Sequence, residues 1–209
     1  MFAELARRHP KLHVHVSYSD CFVDLVSEGF DAAVRMGFLP DSSLVTRRIC
    51  RIYGRLVASP GYIVEHGAPT TPEELLSHET LMQGTESWRL VDRGKTVVVR
   101  PRGRFKADNG EALLAATLAG LGVTALPDFL IETHVVSGAL VPVLTDYPAP
   151  EAGMYVVRPP GEFAPRKVKV LTDILIEWFG RGGYRDRGVG FADGEFSAAR
   201  RTASHIPRA

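Results

Sequence analysis

Segments with helical spacing and segments with strand alternation follow one another along this chain with short links. This order limits its possible folds more than any other feature. The stretch DNGEALLAATLAGLGVTALP, at residues 108–127, shows the pattern. A helix-capping residue opens it, a small apolar helix follows, and Gly120 and Gly122 lead into a short apolar strand. Because alternating helices and strands build α/β domains with parallel sheets, we predict an α/β protein.

The same alternation extends over most of the chain. Helical spacing predicts further helices at residues 2–8, 22–30, 61–66, 128–136 and 168–179. Alternation and short apolar runs predict strands at residues 12–16, 31–36, 47–58, 80–82, 139–144 and 154–157, with a hairpin at 88–100. Thr71 is expected to cap a short helix that begins at Pro72, with Glu74 completing a capping box.

Composition excludes several classes of protein. The chain has 209 residues, enough for one large domain or two small ones, and a formal net charge of +1. That charge creates no strong field for binding nucleic acid unaided. Residues 180–209 hold six arginines and three acidic residues without periodicity, so we predict a disordered tail rather than a nucleic-acid-binding arm. No apolar run reaches the ~20 residues that span a bilayer, and no signal peptide is recognisable, so we expect a cytoplasmic protein without membrane contact.

The residues that usually carry catalysis or bind metals lack the required spacing. The two cysteines, Cys21 and Cys50, have no metal-ligand spacing and are expected to be buried as small apolar residues. The seven histidines show no paired spacing. No nucleophile elbow and no phosphate-binding glycine loop occurs. We therefore expect neither an enzyme nor a bound cofactor or metal.

The helix start within the opening stretch is the first candidate binding site. Either Asp108 or Asn109 can cap this helix, and with Asp108 as the cap Glu111 would complete a capping box. The first N–H groups of a helix lack partners within the helix, and Gly110 brings no side chain to shield them. A carboxylate could bind at Asn109 and Gly110, or Asn109 could be only a cap. The two interpretations carry equal weight.

Arg35, followed by Met36 and Gly37, is the second candidate because it lies near the end of a predicted strand. The planar guanidinium group suits carboxylates, and α/β sheets bind ligands at the carboxyl ends of parallel strands. The alternative is a structural ion pair with Asp31 or Asp41. We predict that Arg35 faces a cleft.

Two polar loops that follow predicted strands complete the candidates: Ser19 with Asp20, and Gln83 with Gly84 and Thr85. The first loop either faces the same cleft or caps the following helix, and capping is its expected primary role. The second is either a ligand loop or an ordinary turn.

Four motifs occur in order along the chain: SDCFVDLVSEGFDAAVRMGFLPDSSLVTRRI, LVASPGYIVEHGAPTTPEELLSHE, ADNGEALLAATLAGLGVTALPDFL and GALVPVL. On these motifs, residues 2–179 resemble the effector-binding domain of LysR-type transcriptional regulators. The resemblance implies a two-lobed, periplasmic-binding-protein-like α/β fold of type 2, with a small ligand in the cleft between the lobes. It also implies that the four candidate loops line this cleft.

The resemblance also implies the boundaries of the lobes. Lobe I would comprise residues 2–53 and 156–179, and lobe II residues 54–155. Two crossing strands would join them, near residues 51–57 and 154–157. Members of this family also carry an amino-terminal winged helix-turn-helix, a linker helix and a first strand in lobe I. None of these is recognisable in this sequence, so we expect no direct DNA binding by this chain.

The implied function is that of a sensory module that binds a small polar or anionic effector and acts as a homo-oligomer. Two alternatives stay open. The chain could be a stand-alone solute-binding protein of the same fold, although no signal peptide supports export. It could also be a truncated subunit that pairs with full-length homologues.

Overall fold

The computed structural model describes residues 1–18, 24–39, 42–83 and 87–180. The helices are α1 (Phe2–Arg8), α2 (Pro60–His66), α3 (Gly110–Leu118), α4 (Asp128–Val136) and α5 (Arg166–Leu175), with a 3-10 helix at Glu73–Ser77 and a π-helical turn at Ile176–Gly180. The strands are β1 (Ala33–Gly37), β2 (Val45–Ile52), β3 (Gly54–Ala58), β4 (Thr80–Met82), β5 (Trp88–Asp92), β6 (Lys95–Val99), β7 (Phe105–Lys106), β8 (Val123–Pro127), β9 (Val141–Val143) and β10 (Ala152–Arg158).

The strands form two main sheets and one hairpin. The first sheet has the order β1-β10-β2, and both pairs are antiparallel. The second has the order β7-β4-β8-β3-β9, in which β7, β4 and β8 are mutually parallel and β3 is antiparallel to both neighbours. The prediction of parallel sheets therefore holds only for three adjacent strands at one side of the second sheet, β7, β4 and β8. The first sheet is antiparallel because the chain comes back from the second sheet through its central strand, β10, which runs opposite to both β1 and β2.

The chain crosses from the first sheet to the second at Tyr53. The sequence predicted a single strand at residues 47–58, but β2 and β3 lie in different sheets on either side of this residue. The chain returns between β9 and β10. All of β10 belongs to the first sheet, so the return lies before Ala152 and earlier than the predicted crossing at residues 154–157. The result is a two-lobed α/β protein with one main sheet in each lobe.

Separate hydrophobic cores stabilise the two sheets. In the first sheet, β2, β10 and α5 bury one cluster: Ile49, Ile52, Met154, Val156, Val168 and Leu175. The second sheet is buried on both faces, since Leu56 and Ala58 of β3 lie in one cluster and Val57 lies in another. Successive residues of a strand point to opposite faces, which explains why β3 is a continuous apolar run rather than an alternating one.

The strand predicted at residues 12–16 is wrong, because the structure shows irregular backbone there. Alternation of Leu12, Val14 and Val16 favours an extended chain, but a strand also needs a partner for its ladder of hydrogen bonds. Among the described residues, β1 pairs only with β10, and its other edge has no strand beside it.

The helix predicted at residues 22–30 is also wrong in its described part, where residues 24–30 form turns. The carboxylate of Asp24 accepts hydrogen bonds from the N–H groups of Val26 at 3.0 Å and Ser27 at 3.4 Å. Such side-chain bonds compete with a continuing helix. Gly29, with φ of 72°, ends the turns where the sequence placed a helix end.

The predicted capping box at Thr71 is wrong as well. Glu74 accepts hydrogen bonds from the backbone N–H of Thr70 at 2.6 Å and from its hydroxyl at 3.0 Å. The helix that follows is of the 3-10 type, with Pro72 at its cap position and no side-chain cap. At the other end of the chain, the helix predicted at residues 168–179 is α5 up to Leu175 and then a π-helical turn. The tail predicted to be disordered began at residue 180, which ends this turn, and residues 181–209 lie outside the described residues.

Tyr62 of α2 connects this helix to the loop before β4. Its hydroxyl oxygen accepts a hydrogen bond from the N–H of Glu79 at 3.0 Å and lies 3.1 Å from Nδ1 of His78. In the neutral tautomer of His78 protonated at Nε2, the hydroxyl donates its proton to Nδ1. Burial lowers the pKa of His78 below its ordinary value of 6.5. Glu74 opposes this shift, and His66 adds to it.

Stability should therefore fall on mild acidification. The unfolded chain takes up a proton at His78 near pH 6.5, whereas the folded protein resists protonation, so the free energy of unfolding should decrease as pH falls below about 6.5. In a His78→Asn variant, the amide oxygen can accept the same hydrogen bond without titrating, and this slope should weaken below about pH 6.5. Urea unfolding at several pH values measures both. An unchanged slope in the variant would show that another group causes it.

Candidate functional site

Two of the candidate loops meet at one edge of the second sheet. Strands β4 and β7 are parallel, with Met82 opposite Lys106, and the N–H of Ala107 donates to the carbonyl oxygen of Met82 at 3.0 Å. Gln83 follows β4 directly, and Asn109 follows β7 after two residues. Because the carboxyl ends of parallel strands lie at the same edge of a sheet, Gln83 and Asn109 lie on the same side of the molecule.

Asn109, rather than Asp108, caps α3. Its side-chain oxygen accepts hydrogen bonds from the N–H groups of Glu111 at 2.8 Å and Ala112 at 3.4 Å, and its backbone is extended with φ of −134°. This resolves the choice that the sequence left open, and no capping box forms from Asp108. The amide NH₂ group of Asn109 keeps two donors, and its side chain is exposed.

Gly110, the first residue of α3, has a packing role of its own. A Cβ atom added there would lie 3.2 Å from Cδ2 of Leu130 and 3.8 Å from Cδ2 of Leu126. The start of α3 is therefore pressed against α4 and β8. This close approach is sufficient to explain the glycine, whether or not a ligand binds there.

The crossing at Tyr53 lies at the same edge of the second sheet. Strand β8 is parallel to β4, and Pro127 at its carboxyl end is opposite Gly54 at the start of β3. The N–H of the next residue, Asp128, donates to the carbonyl oxygen of Tyr53 at 2.9 Å. Phe129 then packs against the core of the first sheet. The start of α4 thus contacts both lobes where the chain passes between them.

Arg35, Met36 and Gly37 lie at the end of the first sheet that adjoins the crossings. Gly37 ends β1 opposite Gly153, which is opposite Arg51 on the other side. Gly37 has φ of 113°, a conformation that favours glycine, and Met36 is half exposed. Arg35 is half-buried. Its strand is antiparallel to β10, so the rule for parallel strands that suggested this residue does not apply to it.

Tyr155 is a neighbour of Arg35 that the sequence did not single out. It is the register partner of Arg35 on one side and of Arg48 on the other, so the three residues form a row across the first sheet. Residues directly opposite on neighbouring strands have Cβ atoms about 5 Å apart. A Cβ added at Gly153 would lie 2.5 Å from the Tyr155 ring, so this ring lies against Gly153. In the sequence, the position of a polar tyrosine within the apolar run of β10 could have marked Tyr155 as a candidate.

Glu151, just before β10, joins the two crossings and was also missed. Its carboxylate accepts a hydrogen bond from Arg48 at 2.8 Å, forms an ion pair with Arg51 at 3.3 Å and accepts from the Tyr53 hydroxyl at 3.4 Å. The hydrogen bond from Arg48 is the main cause that lowers the pKa of Glu151, which favours the ionised form. No sequence pattern reveals this contact because its members are about a hundred residues apart.

The other candidates have mixed outcomes. Four of the predicted positions lie outside the described residues: Ser19, Asp20, Gly84 and Thr85. Asp31, one proposed partner of Arg35, forms an ion pair with Lys167 at 2.6 Å, and Asp41 lies outside the described residues. Cys50 is a free, half-buried thiol whose pKa is raised by burial and by Asp128.

Within the described ranges, no three residues of the metal-ligating types converge. In the same part of the chain, no helix is both long and apolar enough to cross a bilayer. An open groove lies away from the candidate edge, between the 3-10 helix and β6.

Residues 1–180 match the family described as the LysR substrate binding domain. The chain belongs to this family. It corresponds to the effector-binding part of LysR-type transcriptional regulators, and the two-lobed fold described above is the fold of their regulatory domains. The resemblance seen in the four sequence motifs is thereby confirmed.

Relatives of this LysR substrate-binding domain are transcriptional regulators. The chain is 32% identical over 187 residues to the HTH-type transcriptional regulator PtxR of Pseudomonas aeruginosa, covering 88% of this chain and 60% of PtxR. The regulatory domain of CrgA from Neisseria meningitidis superposes with a TM-score of 0.75 at 28% identity, covering 86% of this chain and 90% of that domain. Full-length AphB of Vibrio cholerae superposes with a TM-score of 0.73 at 32% identity, covering 85% of this chain and 62% of AphB.

The chain spans about three fifths of the length of the curated relatives that it matches. The matched part is their effector-binding region.

Proposed function

We propose that this domain senses a small polar or anionic metabolite at the edge where its two sheets adjoin. One observation carries the proposal: the carboxyl ends of β4 and β7 and the crossing at Tyr53 lie at the same edge of the second sheet. Open α/β sheets bind ligands at such carboxyl edges, where the strand order reverses. The end of the first sheet that holds Arg35 adjoins the same crossings.

In this proposal, Arg35 and Asn109 make the main contacts with the ligand. Arg35 supplies a guanidinium group that can bind a carboxylate through two parallel hydrogen bonds. Asn109 directs its oxygen to the helix and keeps the two amide donors for the ligand, while α3 adds the positive end of its dipole. The remaining proposed contacts are Ser19, Asp20, Met36, Gly37, Gln83, Gly84, Thr85 and Gly110.

The crossings join the two lobes, and a ligand could change how the lobes are arranged around them. A ligand that contacts both lobes binds one arrangement of the lobes more tightly than the others and shifts the population toward it. The Glu151 carboxylate holds Arg48 and Arg51 of one crossing beside the other crossing. We propose that these contacts define the resting arrangement. In the full regulators, such a shift would change how the DNA-binding domains are placed.

The partners and location of the protein belong to the same proposal. We propose a cytoplasmic protein that acts as a homo-oligomer or pairs with full-length homologues, and that contacts DNA only through a helix-turn-helix domain of its relatives. The edge of β1 that pairs with no described strand favours a second candidate function, in which the chain is a subunit that pairs with such a homologue. Co-purification with a tagged homologue tests this alternative. Failure to co-purify at equal expression would exclude it.

Ligand-dependent thermal melting tests the site. A panel of small carboxylates and aromatic acids is screened for one that raises the melting temperature, and its affinity is measured by calorimetry. Loss of a charged hydrogen bond costs about 1.5–3 kcal/mol, so Arg35→Ala should weaken that affinity by about 10- to 100-fold. The exposed Arg47, which lies on β2 of the same sheet, is the matched control, and Arg47→Ala should leave the affinity unchanged.

Substitutions at Asn109 distinguish capping from ligand binding. Aspartate caps helices as well as asparagine does, so Asn109→Asp should keep the melting temperature but repel an anion and lose affinity. Asn109→Ala should cost about 1 kcal/mol of stability through the lost cap. Unchanged affinity in both Asn109→Asp and Arg35→Ala would overturn the site.

A further inference from the structure

A stripe of four cations runs along the surface before and within β7. Residues 100–106 alternate between outward and inward positions, and the exposed ones are Arg100, Arg102, Arg104 and Lys106. Between them, Pro101 is buried, Gly103 lies against the backbone of Thr80, and Phe105 packs against the core of the second sheet. This alternation of exposure directs all four positive charges toward solvent, along a segment that bends at Arg104 and becomes strand at Phe105.

Most of this charge has no carboxylate partner among the described residues. Among the described residues, Arg104 has a carboxylate within ion-pair distance, that of Glu79 at 3.9 Å, and both side chains are largely exposed. In the same part of the chain, no acidic group lies within that distance of the other three cations. Four like charges this close favour an anionic partner from outside the chain.

An apolar groove adjoins the stripe. The 3-10 helix and β6 line it with Leu76 and the valines at 97–99, and Arg100, Arg102 and Glu73 complete its wall. Two of these apolar side chains are well exposed, with Leu76 at 63% and Val98 at 52% of their accessible surface. Exposed aliphatic side chains beside a charged rim are typical of surfaces that contact other proteins.

The backbone beside the stripe is also open. Strand β7 ends the second sheet, and its outer edge pairs with no described strand. An extended peptide can add to such an edge through main-chain hydrogen bonds, with alternate side chains directed to the same face. The stripe approaches β7 from its amino end, whereas Asn109 follows the carboxyl end. Apart from Lys106 at the carboxyl end of β7, the surface is therefore separate from the edge proposed for effector binding.

We propose that this surface, formed by the four cations and the apolar groove, binds an acidic, extended segment of another protein. The four cations occupy every second position of residues 100–106, so an extended segment with carboxylates at every second position offers one negative charge for each cation. An aliphatic side chain next to them would fill the groove over Val98. The sugar–phosphate backbone of a nucleic acid offers no such side chain.

Fluorescence anisotropy with synthetic probes tests the proposal on the full chain. The probe is a labelled peptide in which four glutamates alternate with valines, and the matched peptide carries glutamines instead. We expect the glutamate peptide to bind and the glutamine peptide to bind about tenfold more weakly or worse, as expected for the loss of several exposed ion pairs. Raising the salt concentration from about 0.1 M to about 1 M should weaken binding further, because the Debye length falls from about 10 Å to about 3 Å.

Charge-matched variants distinguish binding at the stripe from general electrostatic attraction to the positive charges of the chain. The stripe variant changes all four cations to glutamine, and the control variant makes four such changes elsewhere on the exposed surface: Lys11, Arg47, Arg166 and Lys169. We expect the stripe variant to bind about tenfold more weakly than the control. Val98→Glu, which tests the groove alone, should also reduce binding. Thermal melts confirm that each variant folds.

Four results would overturn the proposal. The stripe and control variants could lose equal affinity, Val98→Glu could bind as well as the parent, or a single-stranded or duplex oligonucleotide could bind at least as tightly as the glutamate peptide. In the last case the stripe would be a phosphate-binding surface. If vesicles that contain anionic lipid bind as tightly as the glutamate peptide, the partner would be a membrane rather than a protein.

Discussion

Replacing Gly103 with alanine should lower the free energy of unfolding by about 3 kcal/mol or more, among the largest effects of any single added methyl group in this chain. The new Cβ would overlap the carbonyl oxygen of Thr80 and lie 2.7 Å from its carbonyl carbon. Thr80 is fully buried at the start of β4, so its backbone cannot move without disturbing the pairs with β7 and β8. Overpacking usually costs about 1–3 kcal/mol, and a backbone clash belongs at the upper end.

Urea unfolding followed by circular dichroism measures this loss. Gly61→Ala is the matched control, because Gly61 lies in α2 and an added Cβ there meets nothing within 4 Å. In a helix, alanine is preferred to glycine by about 0.5–1 kcal/mol, so this control should raise stability slightly. A Gly103→Ala protein as stable as the parent would mean that residues 100–104 do not lie against β4.

Replacing Leu175 with alanine should cost about 2–5 kcal/mol through the lost side chain and the cavity left behind. Leu175 is fully buried at the end of α5, where it packs on β2 and β10. The core of the first sheet rests on only three strands, so the loss is large against a net stability of about 5–15 kcal/mol. Leu76→Ala is the matched control, since Leu76 is mostly exposed, and its cost should stay within about 0.5 kcal/mol.

The two tryptophans make this experiment specific to each lobe. Trp88 is buried in a core of the second sheet, and Trp178 lies in the π-helical turn beside the first sheet. In a protein that carries Trp88→Phe, tryptophan fluorescence comes from Trp178 alone. In a protein that carries Trp178→Phe, it comes from Trp88 alone. In Leu175→Ala, the Trp178 transition should shift to lower urea concentration. A change below about 1 kcal/mol at Trp178 would contradict the assignment of Leu175 to this core.

The contacts of Glu151 give the crossings a physical role beyond connection. Its carboxylate interacts with Arg48, Arg51 and Tyr53, while Asp128 and Phe129 join the start of α4 to the same region. The ionic side chains of Glu151, Arg48 and Arg51 are partly exposed, so their ion pairs contribute little to overall stability. In the proposed function, their role is to define one arrangement of the lobes, which a ligand could change at small cost.

Local sequence signals determined much of this protein. Helices α1, α2 and α4, the strand of Arg35, the hairpin at 88–99 and the capped start of α3 follow from spacing, capping residues and turn glycines that act over a few residues. Gly94, with φ of 81°, lies in the turn of the hairpin that the sequence predicted. The ordered motifs also identified the family. Each of these signals is short-range, so the sequence alone carries it.

Only the tertiary structure decided the features that depend on distant partners. The alternating residues 12–16 remain irregular because a strand needs a neighbour, and the run at 47–58 divides at Tyr53 because its halves join different sheets. The same holds for Tyr155 beside Arg35 and for Glu151 between the crossings, which pair residues about a hundred positions apart. Pairing and packing over such separations are set by the whole fold, and no local pattern encodes them.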